Sequence, residues 1–300
     1  MKLVTFTHAG STRAGVLTES GDIADMGSPM LDILADGSLM VRAQKALAGG
    51  VTIATGDVTV EAPVPRPPKV IAIGLNYRDH AEESGQPIPQ RPVVFAKMPT
   101  CIVGPGHPVY IPRVSRAVDW EAELCFVIGK TARYVSAADA AQYIAGYCIG
   151  NDVSVRDWQF HSPTWMMGKS FDTHGPIGPW LVTPDELDVA NLGIRLYVND
   201  DLKQDSNTNQ LIFGVGEIIE YLSAGFTLEP GDVVFTGTPA GVGGARRPPE
   251  FLQAGDTVRV EIAGLGVLEN SVVEEPASAT PIARTVQNVE SDNRQVRRIP

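Results

Sequence analysis

From Lys69 onward the chain is cut into short apolar runs by glycine and proline: KVIAIG, VVFA, ELCFVIG, AGYCIGND, GPWLV, IRLYVND, DVVFTG, TVRVEI and GVLENSVV. Runs of this length suit strands, and the breakers leave little room for long helices. A β-rich α+β core follows, built as a folded-over or barrel-like sheet. Ahead of it, residues 2–7 alternate as a strand, and GVLTESGDIADM reads as two strands joined at Ser-Gly. Residues 29–48 carry Leu31, Leu34, Met40 and Leu47 at helical spacing. These elements predict a small N-terminal α/β domain over 1–65, closed by a strand near VTVEA. The proline-rich APVPRPP (62–68) then leads into a main domain over 66–275. Two helices are expected inside that domain, one over 136–145 capped by Ser136 and one over 216–224. Residues 276–300 mix Ala, Ser, Pro and charges without periodicity, as a polar tail or an arm lying on a neighbour would.

Composition excludes several classes of partner. With 43% hydrophobic residues in 300, the chain can bury a real core. Its formal net charge is −11, and the basic clusters are only Arg246-Arg247 and Arg297-Arg298, so nucleic acid is not an expected partner. No stretch approaches the roughly 18 apolar residues that span a bilayer, and MKLVTFTHAG lacks the layout of a signal peptide. We therefore expect a cytoplasmic protein without a membrane partner. Cys101, Cys125 and Cys148 have no metal-finger spacing and read as buried thiols in a reducing compartment.

The segment DWEAELCFVIG is the most informative chemically. Strand alternation puts Glu121, Glu123, Cys125 and Val127 on one face and Trp120, Ala122, Leu124 and Phe126 on the other. Residues two apart on a strand lie about 6.5 Å apart, so both carboxylates can converge on one ion. Burying two like charges this close is costly unless a cation neutralises them. Asp152 ends the run AGYCIGND, and three carboxylates without a Cys or a His pair form a hard oxygen site suited to Mg²⁺ or Mn²⁺. The competing reading puts Glu121 and Glu123 on the solvated face of an edge strand.

Further residues gather around this segment. In GLNYRDHAEESG, His80 and Glu83 stand three apart, so a helix would pair them as a general base toward water; the alternative is an ordinary surface helix. NDVSVRDWQ brings Asp152, Arg156 and Gln159 together, with pairing of Arg156 to Asp157 or another acid as the structural alternative. Lys169 is the single cation in TWMMGKSF, and either snorkels outward, is paired, or meets a substrate carboxylate or oxyanion. DVVFTGTPAGVGG places Thr238 and backbone N–H groups where they could hold an anionic oxygen, unless the loop is just a tight turn. It is neither a Walker nor a dinucleotide motif. In HSPTW (161–165), His161 either reads a substrate tail or is a solvent-exposed loop histidine.

Taken in order, GLNYRDHAEE, DWEAELCFVIGK, GYCIGNDVSVRDWQ, MGKSFDTHGPIGPW and EPGDVVFTGTPAGVG resemble the fumarylacetoacetate hydrolase family over about residues 66–275. The resemblance implies a β-rich roll, a homodimer and a Mg²⁺ or Mn²⁺ cofactor. Residue by residue it matches the family's metal carboxylates to Glu121, Glu123 and Asp152 and its lid base pair to His80 and Glu83. It matches the substrate-contacting residues to Arg156, Gln159, Lys169 and Thr238. The longer fumarylacetoacetases add an upstream aspartate that has no counterpart here, which favours the shorter acylpyruvate-type branch.

The expected substrate is a small 2-oxo or 2,4-dioxo acid that chelates the cation through its oxo and carboxylate oxygens. His80 would activate water against the 4-oxo carbon, and C–C cleavage would release pyruvate as a metal-held enolate stabilised by Lys169 and Gln159. Decarboxylation, tautomerisation, isomerisation, hydration or dehydration of a 2-oxo acid on the same scaffold is the alternative. A metal or oxo-acid binding protein without turnover is the reading from a different class.

Overall fold

A computed structural model describes residues 1–277 of the chain. The expectation of a β-rich core holds: a twelve-stranded mixed sheet packs against a five-stranded one. The large sheet runs in the order Thr52–Ile53, Ile23–Asp25, Ser11–Leu17, Lys2–His8, Gly175–Val182, Ile144–Asn151, Ala122–Ile128, Val233–Phe235, Val70–Gly74 and Val93–Lys97. The N-terminal strands are continuous with the rest of this sheet, because Lys2 and Leu3 pair with Val182 and Leu181.

Ala122–Ile128 and Ile144–Asn151 lie in the middle of the sheet, and every residue of both is buried. Alternation sends Leu124 and Phe126 toward the five-stranded sheet, where they join Ile194, Leu196, Val258 and Val260. It sends Cys125 and Val127 to the other face, which is covered by Met30, Ile33 and Leu34 of the N-terminal helices. A strand buried on both faces loses the polar alternation of an edge strand. The solvated edge-strand reading of Glu121 and Glu123 is thereby corrected.

The helices follow the sequence in part. The helical pattern over 29–48 breaks into Met30–Ala35 and Leu39–Gly49, because the Asp36 carboxylate accepts the Ser38 N–H at 2.9 Å and Gly37 turns at φ 70°. Val215–Gly225 forms where residues 216–224 were expected to, with Glu217 accepting the Gly214 N–H at 2.8 Å. The helix expected over 136–145 shrinks to one 3₁₀ turn at Ala140–Tyr143. Ile144 instead begins a strand, paired with Ile128, since the following apolar run has a strand partner on each side. All three cysteines are free and buried, Cys125 lying directly opposite Cys148. Among the described residues no helix is long and apolar enough to cross a membrane. The polar tail falls outside the described residues from position 278 on.

Candidate metal centre and catalytic cleft

The antiparallel register builds the acidic centre. Ala122 faces Asn151 and Glu123 faces Gly150, so Asp152, one step past the end of its strand, comes back over Glu121, whose carbonyl accepts the Asp152 N–H at 2.9 Å. One carboxylate oxygen from each of Glu121, Glu123 and Asp152 lies within 4.8 Å of the others. The three residues are 6%, 2% and 0% exposed, which rules out water as the main solvent of their charge.

Basic groups answer most of that charge. The Lys169 ammonium donates to Glu121 at 2.7 Å and to Asp152 at 2.8 Å. Lys97, whose side chain is fully buried, donates to the other Asp152 oxygen at 2.5 Å and to the Lys169 carbonyl. Arg156 bridges Glu121 and Asp119, each at 2.7 Å, and its Nη1 also donates to Gln159 Oε1 at 2.9 Å. It does not pair with Asp157, which accepts the Ser115 hydroxyl instead. Burial works against the charge of Glu121, but Lys169 and Arg156 outweigh it and hold the carboxyl at about 2. Burial likewise opposes the Lys169 ammonium, yet Asp152 and Glu121 raise it above the ordinary lysine value.

Glu123 is the exception. It accepts one hydrogen bond, from the Gly237 N–H at 2.6 Å, and burial together with Asp152 and Glu121 pushes its carboxyl well above the ordinary range. With all three carboxyls ionised, as cation binding requires, they face two ammoniums while Arg156 and Asp119 neutralise each other, so one negative charge is left over. A hard divalent cation fits this all-oxygen donor set and its surplus charge.

A cleft of about 590 Å³ opens beside the acids and is lined by Glu121, Glu123, Arg156, Gln159, Lys169, His80, Glu83 and Thr238. A larger surface hollow of about 840 Å³ near Arg116 and Glu274 contains none of the three acids. His80 and Glu83 sit on the short helix Arg78–Glu83, as the spacing required, with Nδ1 and Oε2 2.9 Å apart. The second Glu83 oxygen accepts the Gly241 N–H at 2.8 Å. Burial raises the Glu83 carboxyl, but the His80 and Gly241 bonds outweigh that and lower it, so it is ionised beside the imidazole. The bond at Nδ1 leaves Nε2 as the ring nitrogen that can take up a proton.

The helix is fastened by Arg78 donating to the Leu211 carbonyl at 2.6 Å and by Ser206 donating to Asp79 at 2.5 Å. Thr238 lines the cleft, but its hydroxyl proton goes to the Ala122 carbonyl at 3.0 Å and its oxygen accepts from Gln204 at 2.9 Å. Its side chain therefore has no donor left for a substrate anion. Gln159 accepts from Arg156 through its oxygen, so its amide nitrogen is the end able to donate. His161 stays exposed and packs on Trp158 at 5.1 Å between centroids; Trp165 of that segment and Phe160 just before it reach the cleft instead.

Three residues were not singled out in the sequence. Lys97 ends an apolar strand, where a basic residue usually marks an exit to solvent. Asp119 precedes the informative acidic pair and looks like one more surface acid, yet it is fully buried and accepts from Arg156, Gly243 and Gly244. Gln204 comes from the five-stranded sheet, in a segment without chemical signal, and accepts the Ala122 N–H at 2.9 Å.

Comparison with known proteins agrees with this geometry. Residues 69–273 match the family model described as fumarylacetoacetate (FAA) hydrolase C-terminal. The chain is 45% identical over 288 residues to a mitochondrial oxaloacetate tautomerase of Xenopus laevis, covering 91% of this chain and 90% of the relative. Among solved structures it is similar to a fumarylacetoacetate hydrolase from Exiguobacterium antarcticum, with a TM-score of 0.81 and 36% identity over 92% of this chain and 100% of the other. It is also similar to maleylpyruvate hydrolase from Sphingobium sp. SYK-6, solved with manganese(II) and pyruvate, with a TM-score of 0.76 and 33% identity over the same shares.

Proposed function

Because the chain belongs to the fumarylacetoacetate hydrolase family, we propose that it is a Mg²⁺- or Mn²⁺-dependent enzyme that moves a proton at C3 of a short 2-oxo acid, interconverting its keto and enol forms. The observation that carries this reading is one cleft lined by Glu121, Glu123, the Lys169 ammonium and a His80–Glu83 pair, with the buried Asp152 completing three converging carboxylates. Glu121, Glu123 and Asp152 would hold the cation, which when bound supplies Lewis-acid polarisation of the 2-oxo group.

The chain's own groups do the rest. Arg156 has one buried guanidinium nitrogen, Nη2, without a partner among the described residues, and with the Gln159 amide it can take the substrate's C1 carboxylate. His80 Nε2 takes the C3 proton and returns it to carbon or to oxygen, while Glu83 fixes the ring through Nδ1. The Lys169 ammonium lies where negative charge on the enol oxygen would be stabilised. The Xenopus relative, named an oxaloacetate tautomerase, supports proton transfer without bond cleavage.

A second reading is hydrolytic C–C cleavage of a 2,4-dioxo acid of the acylpyruvate or fumarylpyruvate type, supported by the likeness to a maleylpyruvate hydrolase. Here His80 would deprotonate water, and the proton would end on C3 of the departing pyruvate. The two are separated by incubating the protein with Mn²⁺ and either enol-oxaloacetate or acetylpyruvate. Accelerated loss of enol absorbance without pyruvate supports tautomerisation, and equimolar pyruvate and acetate support hydrolysis. No Mn²⁺-dependent change in either substrate would overturn the proposal.

A further inference from the structure

Three cationic side chains line the cleft: Arg156, Lys169 and Arg247. The first two are ion-paired at the acidic centre, Arg156 with Asp119 and Glu121, its Nη2 being left to the C1 carboxylate, and Lys169 with Glu121 and Asp152. Arg247 is exposed to the cleft and forms no ion pair among the described residues. The contrast with its neighbour is informative. Arg246 turns the other way, with Nη2 on the Lys203 carbonyl at 2.8 Å, Nη1 3.7 Å from Glu250 and its guanidinium 5.9 Å from the centre of the Trp120 ring. Glu83, the cleft's acid outside the triad, is taken by His80 and the Gly241 N–H and does not neutralise Arg247.

The loop that carries Arg247 is fixed to the acidic centre. Gly243 and Gly244 donate to Asp119 at 2.7 and 2.8 Å, the same carboxylate that holds Arg156, and the Glu250 N–H closes the loop on the Gly243 carbonyl at 3.0 Å. The wall also contains Ile73, Leu75, Phe160, Val242 and Phe251, which offer an anion nothing. Once a divalent cation joins the three acids and two lysines, the centre carries about one net positive charge, which the C1 carboxylate of a 2-oxo acid answers. A second carboxylate further along the substrate meets the polar side chains of Ser84 and Gln86 and, as the one cleft cation without an ion pair among the described residues, Arg247.

We propose that Arg247 is the specificity-determining residue for a distal carboxylate, so that the cleft selects 2-oxo dicarboxylates over 2-oxo monocarboxylates. This rests on the reading above, in which the 2-oxo acid end lies at the acidic triad. The test uses the full chain loaded with Mn²⁺ and measures dissociation constants by competition for two pairs of ligands that differ only by methyl against carboxylate. These are 2-oxobutanoate with oxaloacetate and 2-oxopentanoate with 2-oxoglutarate, and oxalate serves as a probe of the metal end alone. In the unaltered protein the distal carboxylate strengthens binding about tenfold in at least one pair, as one charge-assisted pair does. Arg247→Gln erases that gain, Arg247→Lys keeps part of it, and oxalate binds all three proteins alike.

A gain that survives Arg247→Gln, or no gain in either pair while oxalate binds, overturns the role of Arg247 and leaves the metal-centre reading standing. Failure of oxalate to bind the Mn²⁺-loaded protein sinks that reading and this inference with it.

Discussion

Glu123 is the acid of the centre that has no basic partner among the described residues, so replacing its carboxyl without changing shape separates metal binding from folding. Glu123→Gln is expected to weaken Mn²⁺ binding by at least about a hundredfold, read by calorimetry. The metal-free variant should melt no lower than the metal-free parent, because burial and two neighbouring carboxylates already oppose the Glu123 charge. Retention of tight Mn²⁺ binding would remove Glu123 from the donor set. His80→Ala should cut tautomerisation or hydrolysis by about 10²- to 10⁴-fold. It should leave Mn²⁺ binding intact and spare any decarboxylation of oxaloacetate, which needs no water-activating base. His174 is fully buried, its Nε2–H donates to the Tyr110 carbonyl at 2.7 Å, and burial pushes it down to about 3. The unfolded chain therefore binds a proton near pH 6.5 that the folded protein refuses until about pH 3. Stability is full above about 6.5 and falls by up to about 1.4 kcal/mol per pH unit between those values. Urea unfolding across that window should show a shallower fall in His174→Leu, and an unchanged slope would exclude the histidine as the cause.

At the scale of elements, the site depends on how closely two central strands and a glycine-rich loop approach. Gly150 faces Glu123 in register, and a Cβ there would lie 2.4 Å from Cys125 Sγ and 2.7 Å from the Phe235 ring. Neither neighbour can move without disturbing the strand that carries Glu123. Gly150→Ala should cost about 1–3 kcal/mol in chemical denaturation and weaken Mn²⁺ binding in parallel. Gly237 follows the Val233–Phe235 strand at φ 105° and brings its N–H to Glu123. That conformation favours glycine, which explains why the TGTP turn can place a backbone donor in an otherwise closed corner. The Arg78–Glu83 helix is too short to hold itself, so its anchors at Leu211, Ser206 and Gly241 set the position of His80.

For the whole molecule, a cation at the centre would tie together residues from two strands and, through Lys97 and Lys169, the sheet edge and the following helical turn. Binding to the folded state alone stabilises by mass action, about 2.7 kcal/mol at a hundredfold excess over Kd. Mn²⁺ should therefore raise the melting temperature by several degrees and EDTA should reverse it. An unchanged Tm at saturating Mn²⁺ would contradict a centre that gathers both strands.

The sequence alone determined those features that depend on local periodicity. Alternation put Glu121 and Glu123 on one face, a three-residue step paired His80 with Glu83, and helical spacing located Val215–Gly225. The number and shortness of the apolar runs dictated a β-rich core, and ordered motifs carried the family resemblance. Tertiary structure decided whatever rests on which segments meet. Only pairing of Lys2–His8 with Gly175–Val182 joins the N-terminal strands to the main sheet, and only burial from both sides makes Ile144 a strand residue rather than part of a helix. The roles of Lys97, Asp119 and Arg247 are likewise invisible locally. A charged side chain acquires its function from the opposite charges brought to it across the chain, and the burial that makes those charges matter exists only after the sheets have closed.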